Sequence, residues 1–566
     1  MKFSEMPYAR PDTDDLRHRL ETLTAALLAA KTYEEAKQVF LEEEKLSSHI
    51  QTLYALAYIR HSINTKDAFY DGELQFWNAA MPALGETSQA WTKAMLESPS
   101  RADFTREYGE VMSRNAEIEF RSFSPAIVPE LQEENDLTQA YEKLLASAQI
   151  PFEGGVYTLS QLSPFKNDPD DDRRRAAWET EGNWYLAHRE ELDTLYDRLV
   201  RLRDTMGRKL GYENYVPLGY DRMGRNCYTK EDVEKFRAAV IRYVVPLADG
   251  IYREQAKRLG KSYPMNFADN ALAFRSGNPK PVTDADGILA HARIFYDALS
   301  PETGAFFRMM LDNELLDVLS TEGKAGGGYC EEIRDYGVPF IFANFNGTRG
   351  DVETVTHEAG HAFAAYLNRD RIPAGTALPT LEGCEVHSMS MEFLAWNWAE
   401  GFFGADTRKF YYSHLSGALT FIPYGTMVDH FQHVVYEKPD LPPAERHDVW
   451  RELLAVYMPW VKLGDIPFYG DAMGWQRQHH IYSSPFYYID YCLAQTVALE
   501  IWAKMQGSLD DAWHYYMAYT KQGGSRVFTD LLREAGLDSP FDEKCLAGVA
   551  RVADDWLKHY DLTDIT

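Results

Sequence analysis

The chain holds 566 residues, 45% hydrophobic and 25% charged, an ordinary globular balance at a length that requires a large core or several coupled lobes. A formal net charge of -28 speaks against nucleic acid as a partner, because proteins that bind a phosphate backbone cluster Lys and Arg to neutralise it. The five cysteines, Cys227, Cys330, Cys384, Cys492 and Cys545, stand too far apart for a disulfide framework or a CxxC metal site and point to a reducing compartment.

In chain order, the opening MKFSEMPYARPDTDD lacks the apolar run of a signal peptide, and no later segment stays apolar for the roughly 18 residues of a membrane span. The expected location is the cytoplasm, without a membrane partner. From Thr13 to about Glu142 apolar residues recur at helical spacing, as in Thr32 to Leu46 and His49 to Ile63, which predicts a helical region over residues 1–150. PFEGGVYTLSQLSPF (Pro151 to Phe165) interrupts it with glycines and a short β-rich run, the mark of a hairpin or loop. Amphipathic helices resume near Asp171 and fill a second region, 151–320; those over Asp172 to Met206 and Lys230 to Leu259 carry dense charge on one side, which reads as solvated faces. The clearest break runs from Gly323 to Asp351. There Gly326 to Gly328 suit a loop, and VPFIFANF (Val338 to Phe345) reads as a strand ending in the turn Asn346-Gly347. Helical periodicity then dominates a third region, 321–566. With no repeat, low-complexity tract or long linker, the chain is expected to form one interdependent, mainly α body.

Chemistry concentrates in His357-Glu358-Ala359-Gly360-His361. On a helix, residues four apart share a face, so both imidazoles can reach one metal while Glu358 turns toward the side where a reacting water would sit, the HExxH zincin arrangement. Asp351 or Gly350 can cap this helix, and Pro373 lies beyond its end. A catalytic zinc needs a third protein ligand. Glu385 and Glu392, two helical turns apart in LEGCEVHSMSMEFLAW, supply it: one can bind the metal while the other supports the site.

VETVTHEAGHAFAAY followed by GCEVHSMSME resembles the thimet oligopeptidase and oligoendopeptidase F family of zinc peptidases. The resemblance implies that Glu385 is the third ligand, that Glu392 supports the site, and that Glu353, one turn before His357, belongs with it. KAGGGYC with PFIFANFNGT resembles the glycine loop and edge strand of the oligoendopeptidase F branch, and HIYSSPFYYIDYCLAQ resembles its C-terminal His/Tyr segment, so the motifs span about Gly323 to Gln495. The family implies a mainly α fold of two helical lobes around a deep substrate channel. A small β-sheet would lie next to the zinc helix, the second region would form part of the channel wall, and 321–566 would be the catalytic region.

An amide-hydrolysing zinc enzyme also needs a hydrogen-bond donor for the oxyanion. The family pattern carries over best to His480 and Tyr491, with Tyr482, Tyr487 and Tyr488 as substrate contacts beside them. Gly327, Gly328, Ala343, Asn344 and Phe345 are expected to hold an extended peptide through backbone hydrogen bonds. These readings together predict an oligoendopeptidase with one zinc per chain, acting on internal bonds of oligopeptides through a water activated by Glu358. The alternatives are a zinc metallocarboxypeptidase or dipeptidyl carboxypeptidase, and a non-catalytic peptide-binding protein with a structural zinc.

Overall fold

The computed structural model describes residues 1–321, 323–563 and 565. Helices dominate, and the strands are short and few. The chain divides into two compact units, each built from three separated stretches. The first takes Met1–Arg121, Lys280–Thr407 and Lys504–Ser539; the second takes Ser122–Pro279, Arg408–Ala503 and Pro540–Thr566. These units cut across the three consecutive regions drawn from the sequence, because a stretch's texture records its own helix or strand and not the distant stretch it packs on. No described helix is long and apolar enough to cross a membrane.

The first unit opens with helices Thr13–Ala29, Tyr33–Ile63 and Ala68–Glu97. Asp12, Thr32 and Asp67 stand at their N-caps and accept backbone N–H groups of the first turn, which stabilises each helix end by about 1 kcal/mol. Leu16, Leu20, Leu46, Leu53, Trp77 and Leu84 from all three helices meet in one buried cluster; full burial of one such aliphatic side chain contributes about 1.5–3 kcal/mol. Farther along, a three-stranded sheet has Val338–Phe345 at its centre, parallel to Leu316–Leu319 and antiparallel to Tyr329–Ile333. The reading of Val338–Phe345 as an edge strand is therefore corrected. The missing partner, Leu316–Leu319, is a four-residue strand after the helix Pro301–Asp312, too short to announce itself by alternation.

In the second unit, Ile150–Phe152 and Gly155–Tyr157 form the expected hairpin. The charged helices that follow, Asp171–Ala187 and Arg189–Lys209, are not simply solvated on their charged sides. Arg174 and Arg203 are fully buried. Arg203 reaches Glu134 at 2.6 Å and the Tyr436 hydroxyl at 2.8 Å, partners far away in the sequence. Lys230–Ala239 and Val245–Leu259 are joined by a π-helical turn, Val240–Val244. Pro246 has no N–H to give the normal ladder, and its ring pushes away the carbonyl one turn back.

Candidate metal centre

The central strand leads into the turn Asn346-Gly347, with Gly347 at φ 80°, a conformation glycine adopts without a Cβ clash. The Asp351 carboxylate accepts the backbone N–H groups of Asn346 at 2.9 Å and Gly347 at 2.7 Å. The helix Arg349–Asn368 thus starts before the expected cap, with Thr348 at the N-cap position, and Asp351 fastens the turn. This helix carries His357, Glu358 and His361, and packs against a second helix, Leu381–Leu394, which carries Glu385 and Glu392. Gly360 sets the approach. A Cβ there would stand 2.6 Å from the His387 carbonyl oxygen and 2.6 Å from the Ser388 Cα, closer than backbone atoms allow.

That close crossing brings the predicted ligand atoms together. Glu385 Oε2 lies 3.3 Å from His357 Nε2 and 3.4 Å from His361 Nε2, and the three ligand atoms all fall within 4.8 Å of one another. The His357 Nδ1–H donates to Glu392 Oε1 at 2.7 Å, which orients the ring and leaves the Nε2 lone pair for a metal. The Ser388 hydroxyl donates to Glu385 Oε2 at 3.0 Å and holds that carboxylate from behind. Ser388 and Gly360 escaped the sequence reading; the signals were a hydroxyl one turn after a candidate ligand and a glycine inside a helix.

The electrostatics follow from burial and neighbours. Burial alone would raise the Glu385 carboxyl, but the His361 and His357 imidazoles outweigh it and hold the group well below the ordinary carboxylate range. For His357, burial disfavours the charged ring, yet Glu385 and Glu392 overcome that and push its pKa well above the imidazole range. A divalent cation would satisfy the same carboxylates in competition with that proton. Glu358 is 8% exposed, and burial raises its carboxyl against the opposing pull of His357 and His361. His387 is pushed down to about 3 by burial and by His361, so it stays neutral. Burial raises the Cys384 thiol well above its ordinary value, and its Sγ–H donates to the Pro379 carbonyl at 3.3 Å, an unreactive setting.

Other predicted residues fall differently. Glu353 pairs with Arg349 at 2.9 Å. Gly328 borders the site: a Cβ on it would lie 3.6 Å from Glu358 Oε1. Gly327, at φ 89°, offers its carbonyl to the Asn344 amide at 2.9 Å, and Ala325 does the same at 2.8 Å. Asn344 therefore pins the glycine loop. The Ala343 and Phe345 side chains are buried on the central strand, which pairs with Tyr329–Ile333 from Val338 to Phe342 and with Leu316–Leu319 from Ile341 to Phe345.

In the second unit, Tyr482 is fully buried, stacks on Tyr141 at 3.9 Å, and donates its hydroxyl to the Leu192 carbonyl at 3.2 Å. It is a core residue, not a substrate contact. Tyr487, Tyr488 and Tyr491 are half-buried and cluster with His480, whose ring lies 4.9 Å from Tyr488 and 5.8 Å from Tyr491. The Gln478 amide reaches His480 Nδ1 at 3.0 Å while its oxygen accepts the Tyr424 hydroxyl at 2.8 Å. With Nδ1 accepting, the proton of His480 sits on Nε2.

Two helices that converge two imidazoles and a carboxylate beside a buried glutamate define a helical hydrolase-type centre able to hold a metal ion, and comparison with known proteins gives the class. The pattern described as Peptidase family M3 matches residues 303–551, and that of the Peptidase M3 N-terminal domain matches residues 3–123. The solved structure of PZ peptidase A with an inhibitor is 42% identical, covers 99% of this chain and 100% of its own, and superposes with a TM-score of 0.94. A structure described as an oligoendopeptidase F from Bacillus anthracis is 41% identical, with 100% and 99% coverage and a TM-score of 0.91. Oligopeptidase PepF of Bacillus subtilis is 22% identical over 559 residues, 89% of this chain and 78% of that protein. The chain belongs to peptidase family M3, and within it to the oligoendopeptidase F-like peptidases.

Proposed function

We propose that the protein is a zinc-dependent oligoendopeptidase that cuts internal bonds of short peptides in the cytoplasm, with one zinc per chain held by His357, His361 and Glu385. One observation carries the reading: the two Nε2-to-Oε2 separations of 3.3 and 3.4 Å. Bonds of about 2.0–2.2 Å to a tetrahedral zinc set neighbouring ligand atoms roughly 3.3–3.6 Å apart. Two imidazoles and a carboxylate are also the donor set of zinc sites that keep a fourth position open. Zinc bound there supplies Lewis-acid polarisation of the scissile carbonyl and makes water acidic enough to be deprotonated near neutral pH.

The remaining work falls to the chain. The Glu358 carboxylate takes the proton of the attacking water on an oxygen and passes it to the leaving amine; its burial raises its proton affinity toward the range a general base and acid needs. Glu392 keeps His357 in the tautomer that presents Nε2. The His480 Nε2–H and the Tyr491 hydroxyl donate to the developing oxyanion.

Zinc analysis beside peptide turnover tests the reading. Wild-type protein should carry about one zinc per chain, His357→Ala and Glu385→Ala should lose it, and a peptide with a blocked C-terminus should still be cut at an internal bond. Full zinc occupancy in both variants would sink the ligand assignment; failure on every blocked peptide would favour a carboxypeptidase. Tyr491→Phe should lower kcat and kcat/KM together on the order of 10²-fold, with zinc content and KM nearly unchanged. A lower melting temperature with normal turnover would instead make Tyr491 a packing residue.

A further inference from the structure

The second unit bears an open cavity of about 410 Å³ whose lining includes Lys166, Glu181, Tyr424, Arg477, Gln478 and Tyr488. Its charges are unevenly matched. Glu181 is the one carboxylate among these residues, and both of its oxygens are engaged: Oε2 accepts Lys166 Nζ at 2.5 Å and Oε1 accepts the Tyr469 hydroxyl at 2.5 Å. Arg477 has no carboxylate within ion-pair distance among the described residues. Its guanidinium is held by aromatic faces, 5.6 Å from the Trp178 ring and 5.7 Å from the Tyr469 ring. The residue is exposed. Cation–π contacts at this range attract a guanidinium without using its N–H groups, which are left to meet a planar anion with two oxygens. Lys166 and Arg477 against Glu181 leave the lining one positive charge in excess, in a chain whose net charge is -28.

The cavity also adjoins the His/Tyr cluster. Gln478 and Tyr488 line it, and the same two residues touch His480, by a 3.0 Å hydrogen bond and by ring centroids 4.9 Å apart. We propose that this cavity is a carboxylate subsite for the peptide substrate, in which Arg477 binds the two oxygens of a C-terminal carboxylate or of an acidic side chain. The assignment rests on the peptide-hydrolysis reading above, and it adds a preference that the metal centre does not supply. At about 410 Å³, the space suits a terminal residue rather than a folded partner.

Steady-state kinetics on the zinc-loaded, full-length enzyme test it with matched fluorogenic peptides. One pair differs only in a free or amidated C-terminus, and further pairs exchange Glu for Gln at single positions. Neutralising the recognised carboxylate should lower wild-type kcat/KM about 10- to 100-fold, mainly through KM, as expected for a lost charge-assisted contact. A loss confined to the amidated peptide identifies the terminus, and a loss confined to one Glu-to-Gln pair identifies a side chain. Arg477→Met should bring the same ratio close to one, and Arg477→Lys should keep part of it, because charge remains while the fork is gone. Equal turnover of every pair by the wild type overturns the subsite, as does a full ratio surviving in Arg477→Met. Absence of cleavage of any peptide by the zinc-loaded wild type would defeat the peptidase reading itself, a separate and recognisable result.

Discussion

Gly360 shows how much a single residue between the two histidines of the candidate metal centre constrains. A mid-helix glycine costs about 1 kcal/mol relative to alanine, so its presence needs a packing reason, and the reason is the backbone of His387 and Ser388 at contact distance. Gly360→Ala should force the two helices apart, lower stability by about 1–3 kcal/mol and weaken zinc affinity, because Glu385 would move off the histidines. Thermal unfolding and a competitive zinc titration on the same preparation check both effects; unchanged zinc affinity would show that the helices can part without disturbing the ligands. Glu358→Gln should bind zinc normally and lose about 10²- to 10⁴-fold in turnover; near-normal turnover would remove Glu358 as the base. The residues of HExxH, Glu385 and Glu392 were legible because helical spacing turns sequence distance into direction. Tyr482 was not legible: its neighbours in sequence look like a site, while its stacking partner Tyr141 lies hundreds of residues away.

Among elements, the helix Tyr33–Ile63 carries an inward acidic residue that its amphipathic pattern does not advertise. Glu43 is 7% exposed, and burial pushes its carboxyl up to about 7, against a hydrogen bond from Ser47. A carboxyl with a folded pKa above its unfolded value binds more protons when folded, so stability falls as pH rises from about 4.5 toward 7. Glu43→Gln should therefore melt like the wild type near pH 4 and above it at pH 8, by an amount on the order of 1–3 kcal/mol. Melting curves across that range that never separate would show that Glu43 is solvated. Helices and the first hairpin could be read from periodicity and turn residues. The central position of Val338–Phe345 and the buried guanidinium of Arg203 could not, because each depends on a partner that local spacing does not specify.

For the whole molecule, all three proposed zinc ligands belong to the first unit, so metal binding should stabilise that unit directly. At a free zinc concentration about 1,000-fold above the dissociation constant, linkage adds about 4 kcal/mol to the state that binds. Hydrogen exchange followed by mass spectrometry should show Arg349–Asn368 and Leu381–Leu394 exchanging faster after chelation, while the hairpin Ile150–Tyr157 changes little. Equal loss of protection in both places would mean that the two units open together. The mainly α class was legible from helical texture. The assembly of each unit from distant stretches was not, since it is a property of pairing between them.

That interleaving has a covalent side. The chain passes between the units after Arg121, Pro279, Thr407, Ala503 and Ser539. Five peptide connections join them, and a protease that cuts one leaves the other four intact. Because each unit also holds its own three stretches by burial rather than by sequence continuity, such a cut should release nothing under native conditions. Nicked protein should run at full size on a native gel and fall into two fragments only in detergent. The enzyme would thus carry a chain break as a scar rather than as an amputation.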